Sequence, residues 1–165
     1  MRALLVFAIV ALASVCMAQQ PKPQPLQGRE LAGFLGPVSP NAFHWSKYTL
    51  IDFELYNGEP QPPLSGHVGF YVGGHADFKP AAGSKQIRGR LGRYPVTWYR
   101  ALDKERGISQ DALISLDDYW QIDLRLSAKR QTDLDQIIAT ISRLPMFTNK
   151  PKPAFSGNNI SPHPW

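Results

Sequence analysis

The sequence predicts an α+β fold: an antiparallel sheet of four to five strands with one C-terminal amphipathic helix packed on it. Three observations carry this expectation. Apolar and polar residues alternate in several short runs, glycine and proline clusters separate those runs, and one late segment changes to a helical period. With 43% hydrophobic and 11% aromatic residues in 165, the chain has enough apolar surface for one modest core.

The first alternation starts near Tyr48, where Ile51, Phe53 and Leu55 exchange places with Asp52 and Glu54, and Asn57-Gly58 follows as a turn signal. A second strand is expected over residues 67–72, with Val68, Phe70 and Val72 on one face and Gly73-Gly74 ending it. Pro60, Pro62 and Pro63 place a loop between the two. In the next run Ile87 and Leu91 alternate with Arg88 and Arg90, and Tyr94 to Ala101 then carries Val96 and Trp98 on one face. Gly89 and Gly92 read as bulge and turn glycines.

Residues 108–116 follow a charged turn at 103–107, and their pattern leaves helix and irregular crossing both open. Alternation returns at Tyr119 to Ser127, with Trp120, Ile122, Leu124 and Leu126 on one side. After it, Leu134, Ile137, Ile138, Ile141 and Leu144 make one apolar stripe of a helix. Ser127 or Thr132 is expected to cap its start and Pro145 to stop it.

The ends have a different character. Met1 and Arg2 precede an uninterrupted apolar run from Ala3 to Ala13, too short to span a bilayer, and Cys16-Met17-Ala18 has small residues where a signal peptidase cuts. Residues 1–18 are therefore read as a secretory signal peptide. An uncleaved anchor lacks a stop-transfer flank, and lipidation of Cys16 is disfavoured by the bulky Val15 before it. Cleavage after Ala18 removes the single cysteine, which excludes disulfides, a thiol nucleophile and cysteine-rich metal centres from the mature chain and points to a bacterial periplasmic or secreted protein. Residues 19–45 form a proline-rich arm, partly ordered through Leu31, Phe34, Leu35, Phe43 and Trp45. The α+β domain is expected over 46–147, and 148–165 is a second proline-rich tail.

Candidate chemistry is sparse. His67, His75 and Asp77 are the residue types that bind a divalent metal, and a metal-assisted hydrolase is one reading of them. On a continuous strand the two imidazoles would stand about 26 Å apart, so only a sharp reversal at Gly73-Gly74 would join them. Ser65 and Ser84 lack the flanks of a nucleophile elbow, and the chain has neither a phosphate loop nor a dinucleotide fingerprint. No catalytic residue and no cofactor are assigned.

Lysine and arginine number 18 against 13 acids, for a net charge of +5. Lys85, Arg88, Arg90, Arg93 and Arg100 cluster among Tyr94, Trp98 and Tyr99, a pattern suited to holding an anion by charge and stacking. Arg88, Arg90, Arg93 and Tyr99 are the candidate ligand-binding residues. The plain alternative is cross-strand pairing of Arg88 and Arg90 with Asp52, Glu54 and Asp123. The expectation is an exported, non-enzymatic binding or assembly component of the periplasm or cell envelope. Its partner would be an anionic glycan or an envelope protein, with no nucleic acid and no membrane span after signal cleavage.

Overall fold

The computed structural model describes residues 22–74, 76–103, 107–116 and 119–149. The predicted signal peptide, Cys16, His75 and most of the C-terminal tail lie outside them. Among the described residues no helix is long and apolar enough to cross a membrane.

Among the described residues, eight antiparallel strands form one sheet: β1 Gln24–Pro25, β2 Phe43–Thr49, β3 Phe53–Pro60, β4 His67–Gly73, β5 Lys85–Leu91, β6 Tyr94–Asp103, β7 Gly107–Ser115 and β8 Gln121–Ala128. Their spatial order is β1-β2-β3-β4-β8-β7-β6-β5. Helices α1 Gly28–Leu35 and α2 Gln131–Ile141, with the short α3 Pro145–Thr148, complete the fold. The expected four to five strands and single C-terminal helix are corrected by this count, although helices still pack on an antiparallel sheet.

The extra elements come from segments read as arm or as undecided. Residues 28–35 of the arm are helical, and Phe43 and Trp45 start β2 inside the core. Residues 108–116, left between helix and irregular crossing, fall largely in β7, whose inner face carries Ile108, Gln110, Ala112 and Ile114. Asn57-Gly58 is not a turn but part of β3, opposite Ser46 and Trp45. The indole of Trp45 lies over Gly58, where a Cβ would come within 2.6 Å of the ring. Gly89 keeps the β5–β6 register without a bulge, while Gly92, at φ 56°, makes the turn. The start of α2 has no side-chain cap, and Pro145 opens α3.

The pleat divides the sheet into two faces. Phe43, Trp45, Val68, Phe70, Val72, Val96, Trp98, Ile114, Ile122, Leu124 and Leu126 point inward and are buried beneath Leu35, Leu134, Ile137, Ile141, Leu144 and Phe147 of the helical layer. Phe34 of α1 stacks on Tyr56 at 4.7 Å, and Phe147 of α3 meets Phe70 at 5.7 Å. The helical layer thus covers the centre of the inner face, leaving Leu102 and Lys85 exposed at its margin.

Candidate functional site

The chain makes two meanders, β2-β3-β4 and β5-β6-β7-β8, and β4 docks against β8. Alternating directions across the sheet make β4 and β5 parallel, so the chain must traverse the sheet between the end of one and the start of the other. The connection takes the outer face. Its Phe78 packs on Tyr99 of β6 with ring centroids 5.4 Å apart, and the charge of Asp77 contributes to a raised Arg125 pKa.

Beneath this crossover lies a charged row that composition did not reveal. Tyr99, Asp111, Arg125 and Gly69 are successive cross-strand partners on β6, β7, β8 and β4. Arg125 holds Asp123 with Nη2 to Oδ2 at 2.8 Å, and Asp123 is 5% exposed. Burial pushes the Asp111 carboxyl up to about 6; Arg125 and the backbone of Leu126 oppose the rise, and the charge of Asp123 adds to it. The bond to Asp123, more than any other influence, raises Arg125. The signal for this site was Asp111 at an outward position of a strand, invisible while residues 108–116 had no assigned period.

The basic residues named from sequence lie farther along the same face, at the sheet edge. Arg88 and Arg90 are exposed outward residues of β5, facing Thr97 and Pro95 of β6. Tyr99 shares that face, opposite Gln86. Arg93 sits in the turn between β5 and β6, its guanidinium 4.8 Å from the Tyr94 ring and bonded to the Tyr94 hydroxyl at 2.9 Å. Arg90 Nη2 donates to the Arg93 carbonyl at 2.9 Å. Lys85 and Arg100 oppose each other on the inward side of the same edge.

Cross-strand neutralisation of these arginines is ruled out by strand order. β5 has β6 as its one strand neighbour among the described residues, Asp123 is paired with Arg125, and Glu54 meets Lys47 from the inner face at 3.4 Å. No ion pair to Arg88 or Arg90 occurs among the described residues.

The histidine and aspartate of the metal reading are placed apart. His67 starts β4, whereas Asp77 lies in the crossover past the other end of that strand, ion-paired with Lys79 at 2.8 Å. His75 lies outside the described residues, and among those described no three metal-ligating side chains come together.

Set against known protein families, curated proteins and solved structures, the chain matches none.

Proposed function

We propose that the protein is an exported, non-enzymatic binding or assembly component of the periplasm or cell envelope, which takes an anionic partner along the β5–β6 edge. The observation that carries this reading is the pair Arg88 and Arg90: exposed, side by side on one face, and without a carboxylate partner among the described residues. Tyr99, on the same face opposite Gln86, is half-buried under Phe78, so the charges and not the ring carry the reading. Two like charges on adjacent outward positions of an edge strand give an anionic chain two points of attraction.

Retention on an anionic-polysaccharide column tests the reading. The Arg88→Ala/Arg90→Ala protein is expected to elute at clearly lower salt than the parent, with unchanged thermal stability. Equal elution of the two would overturn it. Screening of exposed charges at high ionic strength makes low to moderate salt the informative range.

A further inference from the structure

We propose that the open edge of β5 receives an extended acidic segment of a partner protein, which joins the sheet as a further strand. This rests on the anion-binding reading above and names the class of partner.

The two edges of the sheet are treated differently. On one side β1 pairs with β2, Gln24 with Lys47 and Pro25 with Ser46, and Leu26 then donates its N–H to the Trp45 carbonyl at 3.0 Å. On the other side, β5 has no second neighbour among the described residues. Such an edge presents unpaired backbone donors and acceptors to any chain that arrives in extended form.

Pro95 identifies which groups those are. In an antiparallel ladder, residue pairs alternate between those that exchange two hydrogen bonds and those that exchange none. Arg90 faces Pro95, which has no N–H, so this pair cannot exchange. By alternation Arg88 with Thr97 and Gln86 with Tyr99 are also non-exchanging pairs. The backbone N–H and C=O of Gln86, Arg88 and Arg90 therefore point away from β6, into the open edge. The residues that offer hydrogen bonds to a newcomer are the same ones whose side chains carry the charge.

The pleat then defines the incoming sequence. A strand laid beside β5 puts alternate side chains next to Gln86, Arg88 and Arg90 on the outer face, where carboxylates are favoured. Its other side chains lie next to half-buried Ile87 and Gly89 on the inner face, where apolar groups are favoured. A second copy of this chain does not fit, because pairing two β5 edges would set arginine against arginine. The partner is a segment with acidic and apolar residues in alternation.

The test uses the full chain and a seven-residue peptide of alternating glutamate and valine, followed by amide hydrogen exchange and by a binding titration. The amides of Gln86, Arg88 and Arg90 are expected to exchange at least tenfold more slowly with peptide bound. A peptide N-methylated at every second residue, in either phase, should lose binding at least tenfold in the phase that blocks its bonds to β5. Gln86→Pro removes one outward N–H without touching a β6 bond or a charge. It should weaken the peptide about tenfold and leave the polysaccharide column unchanged. If that variant is itself less stable, the methylated peptides decide. Peptide binding that needs the arginines but leaves the three amides unprotected and tolerates both methylation phases overturns strand addition while the anion-binding reading stands. No peptide binding, together with a column that ignores the arginines, overturns both.

Discussion

At the scale of single residues, Asp111 is the group whose environment most changes its chemistry. Its carboxyl, partly withdrawn from water and close to Asp123, titrates at about 6 against an ordinary 3.8. A carboxylate whose pKa rises on folding favours the fold while protonated and opposes it once ionised. That favourable contribution is complete below about pH 4 and is lost as pH climbs through about 6. Asp111→Asn should therefore match the parent in acid and exceed it at pH 7 by about 1 kcal/mol. The shift alone implies more, but the group remains partly in water, which screens it. Chemical denaturation of both proteins from pH 3.5 to 7.5 measures the difference, and parallel curves would refute it.

Trp45 shows a different compromise at the same scale. Its ring is enclosed by Phe34, Phe43 and Phe70, with centroids 4.9, 5.3 and 5.8 Å away, and its Nε1 finds no hydrogen-bond acceptor among the described residues. Ring packing there outweighs the cost of a buried, unpaired N–H. Arg88, Arg90 and Tyr99 stand out as candidates from sequence because they crowd one short segment. Asp111 and Asp123 could not, since their proximity depends on β7 lying beside β8, a fact of topology and not of spacing.

Among the elements, α2 was the most legible, because a stripe at helical spacing is a strong signal even in isolation. Leu134, Ile137 and Ile141 are completely buried, whereas Ile138 is only half-buried at the stripe's margin. Ile137→Ala is expected to cost about 2–5 kcal/mol. A denaturant midpoint equal to the parent's would mean that α2 does not seal the core as described. β4 and β8 were the clearest strands, from strict alternation.

β7 was obscured for a physical reason. Its inner positions include polar Gln110 and small Ala112, while Leu113 faces outward, so hydrophobicity hardly alternates along it. Helix α1 was obscured by length: it has eight residues, includes Gly33 and is followed by Gly36-Pro37, too little for a helical period to emerge. Burial against Trp45 and Tyr56 of the sheet stabilises it, which no local pattern encodes. The pairing of Asp133 with Arg130 at 2.7 Å and with Ser65 at 2.9 Å ties the first turn of α2 to the loop before β4, again across distant sequence.

For the whole molecule, the proline-rich start of the described chain is part of the fold. Pro25 occupies an edge position, which its missing N–H permits, and Leu26 is 4% exposed. Deleting residues 22–26 should lower stability by about 1.5–3 kcal/mol, the value of one fully buried leucine side chain. A thermal melt within a degree of the parent's would show instead that the arm adds nothing. Leu35 of α1 and Phe43 and Trp45 of β2, all before residue 46, are buried in the core.

The position of β1 has one more consequence. It and β5 occupy opposite margins of the sheet, seven strand spacings apart, or roughly 33 Å measured across the strands. A partner held on Arg88 and Arg90, as proposed above, would stand a full sheet's width from the margin where Gln24 and Pro25 pair with β2.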